Sequence, residues 1–334
     1  MAEVTRGTID GAAFVECTHR GHAVVSDGQG IVAAWGDPQA LVLPRSSAKM
    51  IQALPLVESG AAAAARLGPA QLALACASHN GAAIHTDPVA AWLSALGLRE
   101  EDLRCGPQTP RDPAARAALL QSGRAPGQIY NNCSGKHAGF LTLTRHLGAG
   151  PDYVDPDHPV QRAVRAAWED ATGALSPGHA IDGCSAPNFA GRLADFAHAM
   201  ARFARPRAAF SGARAEAAEA LVAAMIAHPA LVAGEERACT ALMRAAQGRA
   251  AVKTGAEGVF FAILPGRGLG VALKIVDGAT RAADAAMAAL LVRLGAVEPG
   301  AVRATSHAPQ VNRRGIVTGE IRPAAGFFQN GAPL

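Results

Sequence analysis

"GVFFAILPGRGLGVALKIVDG", Gly258–Gly278, sets two apolar runs on either side of Pro265–Gly268. Proline and glycine make turns, and runs rich in Val, Ile, Leu and Phe make strands, so the stretch reads as a β-hairpin. An alanine-rich helix is expected directly after it, in "TRAADAAMAALLVRLG" (Thr280–Gly295). Near the other end of the chain, "HAVVSDGQGIVAAWG" (His22–Gly36) repeats the hairpin pattern around Asp27-Gly28. A helix is expected to start near Ser46, with "AKMIQALPLVESG" carrying it until Pro55 bends or breaks it. From about 60 to 245 the pattern is alanine-rich and helical. In "RLADFAHAMARF", Leu193, Phe196, Met200 and Phe203 recur at spacings of three and four, which marks a buried helix face, not a cofactor box.

Strands at both ends around a helical middle predict an α/β fold of the α+β type. Its antiparallel sheet is built from both termini and flanked by helices, with a helical insert as a second lobe. The expected division is 1–60 with 246–334 as the sheet lobe and 61–245 as the mainly helical lobe, the active site lying between them.

Half of the 334 residues are hydrophobic, enough for a substantial core. A net charge of +4 spread without a basic stripe, and an aromatic content of only 4%, argue against nucleic acid as a partner. No apolar run reaches the length of a membrane span and no export signal is seen, so cytoplasmic residence is expected. Six cysteines scattered along such a chain read as reduced thiols.

Of 31 basic residues only Lys49, Lys136, Lys253 and Lys274 are lysines. Arginine stays protonated in proteins, whereas lysine can give up its proton. Lys274 reads as the solvent-facing residue of a strand; the other three sit in short motifs. In "RSSAKM" (Arg45–Met50), Ser46 and Lys49 are spaced to share a helix face. A serine hydroxyl is a poor nucleophile until a neighbour takes its proton, and a lysine can do so only as the neutral amine. Ser-x-x-Lys alone occurs often by chance. Here Ser78-His79-Asn80 and then Lys253-Thr254-Gly255 follow it, the order found in serine beta-lactamases and penicillin-binding proteins, with His79 where those carry aspartate.

A second constellation joins "NNCSGKHAGF" (Asn131–Phe140) to "DGCSAPN" (Asp182–Asn188). Two thiolates and a nitrogen donor with one position left to water would form an open, catalytic type of zinc site. Spacing alone favours two unrelated buried cysteines, while the scarcity of lysine weighs towards function. "SGKH" lacks the first glycine and the following Ser or Thr of a phosphate loop.

Together, "RGTIDGAAFVECTHRGHAVV", "GDPQALVLPRSSAKMIQALPLVESGAA", "CASHNGAAIHTDP", "YNNCSGKHAGFL", "IDGCSAPNFA" and "KTGAEGVFFAILP" resemble the L-asparaginase II family, the rhizobial serine-lysine type, over nearly the whole chain. The resemblance implies hydrolysis of L-asparagine to L-aspartate and ammonia, a serine beta-lactamase-like fold and a homodimer. It implies Ser46 as nucleophile with Lys49 as its base, Ser78 and Lys253 as a second pair, and Cys133, Lys136 and Cys184 as zinc ligands. Asp182 would stand beside the metal or its water. Arg45 is assigned to a substrate carboxylate, with Asn80 and Asp182 in the same substrate-binding set. The chain departs from the family pattern in "CGPQTPRDP", where a histidine is expected near Gln108. A glutaminase or another small-amide hydrolase is the alternative, since one methylene changes specificity by only about 1–3 kcal/mol. A non-catalytic amino-acid or zinc-binding protein on an old enzyme fold is the other, against which both serines and three motif lysines count.

Overall fold

The computed structural model of the chain describes residues 1–325 and residue 327. Residue 326 and residues 328–334, at the end of the expected 246–334 segment, lie outside the described residues. The backbone divides into two compact units. The first comprises Met1–Ser47, Arg192–Ala204 and Ala241–Leu334, and the second Ala48–Gly191 and Arg205–Thr240.

In the first unit, the strands Val259–Leu264 and Leu269–Ile275 form the hairpin read from the sequence, turning at Pro265–Gly268 with Gly268 at φ +63°. Its second strand pairs antiparallel with Gly21–Ser26, which pairs with Ile31–Trp35. Ala251–Thr254 closes the other edge, giving one five-stranded antiparallel sheet from both ends of the chain. Every residue of Val259–Leu264 is fully buried, so both sheet faces are covered. The helices Leu193–Ala204 and Thr280–Arg293 supply that cover. Phe196 stacks on Phe261 at 5.1 Å. Gly270 is the strand position where helix Leu193–Ala204 comes so near that a Cβ would strike its backbone at Ala197 and Ala201.

Two findings differ from the sequence reading. The termini build a second antiparallel sheet as well, in the order Pro309–Val311, Val317–Pro323, Ala2–Ile9, Ala12–His19. And the helix Leu193–Ala204, whose stripe of Leu193, Phe196, Met200 and Phe203 is buried as read, spends that stripe on the sheet of the first unit. An apolar stripe announces burial without naming the surface that receives it.

The second unit is helical. Helix Ser134–His146 runs through its middle, with every residue from Ser134 to Thr144 buried. Gly135 lets it approach Pro69–Ala75 so closely that a Cβ would enter the Leu74 carbonyl. Arg214, on Gly212–Ala227, ties three helices together by a two-pronged contact with Glu58 at 2.7 and 2.9 Å and a contact with Asp170 at 2.7 Å. Among the described residues no helix is long and apolar enough to cross a membrane. All six cysteines are free thiols.

Candidate active site

Lys49 opens the helix Lys49–Gln52 and is fully buried. Its Nζ donates to the Ala77 carbonyl, to Ser78 Oγ at 2.9 Å and to Cys133 Sγ at 3.1 Å. An ammonium has three N–H bonds and no lone pair, so these three acceptors satisfy it. A neutral amine keeps two N–H bonds, and one of the contacts must reverse. The carbonyl cannot donate, whereas the Ser78 hydroxyl and the Cys133 thiol can. A proton can therefore pass between Ser78 and Lys49 without either side chain moving. Ser78 is held for this by its N–H to the Val232 carbonyl at 2.9 Å, and His79 by its N–H to the Asn132 carbonyl at 3.1 Å.

Cys133 precedes helix Ser134–His146, its N–H bound to Asn131 Oδ1 at 2.9 Å. Cys184 stands in a tight turn, where the Asp182 N–H meets the Ala186 carbonyl at 2.9 Å and the Ser185 N–H meets the Asp182 carbonyl at 2.8 Å. Lys136, one helical turn after Cys133, donates to Cys184 Sγ at 3.0 Å. The hydrogen bond with Cys133 holds the Cys184 thiol well below the usual range, against burial, and the Lys136 charge adds to it. The same bond, with burial, pushes Cys133 well above it. Burial works against the charge on Lys136, but Cys184, Cys133 and Asp182 outweigh it, and its pKa lies above that of an ordinary lysine. Cys133, Cys184 and Lys136 thus form one interacting group, with Lys136 hydrogen-bonded to Cys184 and Cys184 to Cys133.

Among the described residues no three His, Cys, Asp or Glu side chains gather to hold a metal ion. The donors a metal would find in this cluster are the two cysteine sulfurs and the Lys136 nitrogen, which has a lone pair to give only once its ammonium loses a proton. Two sulfurs and one nitrogen are a donor set that suits zinc. All three carrying residues are buried.

Arg45, Ser46 and Lys253 belong to the first unit. The helix expected at Ser46 starts instead as a tight 3-10 turn over Arg45–Ala48, closed by the Ser47 N–H on the Pro44 carbonyl at 3.1 Å, with α-helix only from Lys49. Arg45 enters that turn at φ +52°. Ser46 is half-buried, while Ser47 is fully buried and donates to the Val259 carbonyl at 3.3 Å. Lys253 lies on Ala251–Thr254 opposite Phe261, fully buried, with Nζ donating to the Thr254 carbonyl at 2.8 Å. The glycine of Lys253-Thr254-Gly255 has a steric reason: a Cβ there would sit 2.7 Å from the Pro44 carbonyl and 2.8 Å from Ser47 Oγ.

Lys49, Ser78, Cys133, Lys136 and Cys184 all lie in the second unit and share this buried cluster. Asp182 stands at its margin, with Oδ2 3.7 Å from Cys184 Sγ and Oδ1 on the Gly183 N–H at 2.9 Å. Asn80 Oδ1 accepts from the Ala82 N–H at 3.3 Å. Gly234, at φ +106°, passes so near that a Cβ would come within 2.5 Å of the Asn80 side chain.

The model of one family, L-asparaginase II, matches residues 2–323. The chain belongs to the L-asparaginase II family. It is an amide hydrolase of asparaginase type. No protein of curated function matches the chain. Among solved structures, a beta-lactamase from Mycobacterium bovis is similar at a TM-score of 0.42 and 15% identity, over 83% of this chain and 95% of that one.

In this L-asparaginase II chain, three residues support the site through contacts that the sequence reading did not assign. Gln108, standing where the family resemblance expects a histidine nearby, accepts the Asn132 N–H at 3.2 Å and so steadies the loop before Cys133. His79 bonds Ser134 Oγ at 3.0 Å and stacks on His85. Tyr153 reaches His137, the residue after Lys136. The scarcity argument used for lysine would have found this last residue, since the chain has only two tyrosines.

Proposed function

We propose that the chain hydrolyses L-asparagine to L-aspartate and ammonia by acyl transfer through serine–lysine chemistry. The observation that carries this reading is the buried hydrogen bond of 2.9 Å between Lys49 Nζ and Ser78 Oγ, which links the lysine of one pair to the serine of the other, so that a proton taken up by Lys49 has a path to Ser78. By its place in the Ser-x-x-Lys motif, Ser46 attacks the side-chain amide carbonyl, and Lys49, three residues on, takes its proton. Ser78 and Lys253 pass a proton to the leaving ammonia, and water then releases aspartate from the acyl-enzyme. Backbone N–H groups at the start of the 3-10 turn stabilise the oxyanion. Arg45 holds a carboxylate of the substrate. Cys133, Lys136 and Cys184 hold zinc, which when bound supplies a Lewis-acidic position for the substrate's amino or carboxylate group. The family resemblance supports a homodimer.

The test is ammonia release from L-asparagine and from L-glutamine by the purified, zinc-supplied protein, beside Ser46→Ala and Ser78→Ala. Release from asparagine that disappears in Ser46→Ala and slows in Ser78→Ala is the expected result. Loss in Ser78→Ala with mere slowing in Ser46→Ala would move the attack to Ser78. Faster release from glutamine would change the substrate. Folded protein that releases ammonia from neither amide, yet is stabilised by asparagine, would overturn hydrolysis in favour of a binding protein.

A further inference from the structure

His137 follows Lys136 on helix Ser134–His146 and is wholly buried. Its Nδ1 lies 2.9 Å from Tyr153 Oη. Which of the two donates is decided one bond further out. The backbone N–H of Arg104 donates to Tyr153 Oη at 2.7 Å. The phenol still has its own O–H to place, an amide N–H cannot accept it, and His137 Nδ1 can, so the proton goes to Nδ1. A neutral imidazole whose Nδ1 accepts must carry its proton on Nε2.

That Nε2 meets no partner of ordinary hydrogen-bond geometry. Its neighbour is the Cys184 sulfur. A buried N–H left without an acceptor is costly, so an acceptor in that direction is what the ring is built to serve. His137 does not itself form a ligand trio with the cysteines.

We propose that His137 is a positioning residue, its Nε2–H aimed at the Cys184 sulfur by the Arg104–Tyr153 chain, so that Cys184, Cys133 and Lys136 offer their donors to one metal ion. The inference rests on the zinc part of the reading above. Groups that orient a ligand from outside the coordination shell change metal affinity by about 10–100-fold when removed.

Three variants separate the possibilities. His137→Phe keeps a ring and removes the donor, His137→Gln returns an N–H at similar reach, and Tyr153→Phe removes only the hydroxyl that fixes the ring proton. The metal-free proteins are titrated with Co²⁺, following the thiolate-to-cobalt charge-transfer absorption. Zn²⁺ affinity is then measured by competition with a chromophoric chelator, and thermal unfolding checks that each variant is folded. The expected result is zinc affinity weakened about 10–100-fold with a shifted cobalt band in His137→Phe and Tyr153→Phe, and recovery in His137→Gln. If His137→Phe does not fold, Tyr153→Phe carries the comparison. A folded donor-free variant with the parent's affinity and band overturns the role of His137 and leaves the zinc reading standing. A parent protein that takes up neither metal overturns the zinc reading, and the inference with it.

Discussion

Lys49 has three acceptors for its amine, and one of them is a serine hydroxyl. Lys49→Met keeps the length of the side chain and removes the amine. Ammonia release from asparagine should then fall by about 10²–10⁴-fold, the usual worth of a positioned acid or base. An activity within a few-fold of the parent would sink the serine–lysine reading. Gly255 is a residue-scale prediction of another kind. Because a Cβ would press on the Pro44 carbonyl and on Ser47 Oγ, Gly255→Ala should cost about 1–3 kcal/mol in urea unfolding. The identity of these residues was legible in the sequence, since Ser-x-x-Lys and Lys-Thr-Gly are local patterns. What each touches was not. The hydroxyl that meets Lys49 comes from Ser78, 29 residues further on, and no spacing rule encodes that meeting.

Helix Ser134–His146 shows the same division within one element. Its first turn carries Lys136, and two glycines four apart, Gly135 and Gly139, lie on the side packed against other helices. They are not equivalent. Position 135 faces the Leu74 backbone, which cannot give way, whereas a Cβ at 139 would meet the Leu56 Cδ2 at 3.2 Å, the end of a flexible side chain. Alanine in a helix gains about 1 kcal/mol over glycine. Gly139→Ala should therefore stay within about 1 kcal/mol of the parent, while Gly135→Ala should lose about 1–3 kcal/mol to overpacking. Equal melting temperatures for the two variants would contradict this packing. The sequence marks both glycines alike, because periodicity reports which face is buried and not how near the neighbouring backbone comes.

For the whole molecule the clearest expectation concerns acid. His85 is fully buried, stacked on His79, with its Nε2–H on the Ala230 carbonyl at 2.9 Å. Burial lowers its pKa, against the hydrogen bonds to Ala230 and Ala82 and the Asp112 charge. The folded chain thus keeps the ring neutral where the unfolded chain, near the ordinary value of about 6.5, already takes a proton. Stability should be full above that pH and fall as pH drops from there towards the folded pKa, by at most about 1.4 kcal/mol per pH unit for each such group. His137 and His198, also lowered by burial, act in the same direction. Urea midpoints at pH 7.5 and 5.5 check this, and His85→Phe should flatten the difference; an unchanged slope would place its source elsewhere. Hairpins, helix stripes and the two chemical motifs were determined by the sequence alone, because turn residues, side-chain periodicity and short spacings are local properties of a chain. Only the tertiary structure decided that the termini build two sheets, that Leu193–Ala204 packs on the five-stranded one, and that Ser78, Cys133 and Cys184 gather around Lys49 and Lys136. Those outcomes depend on which surfaces meet across long stretches of chain, and the burial that rewards each meeting does not specify its partner.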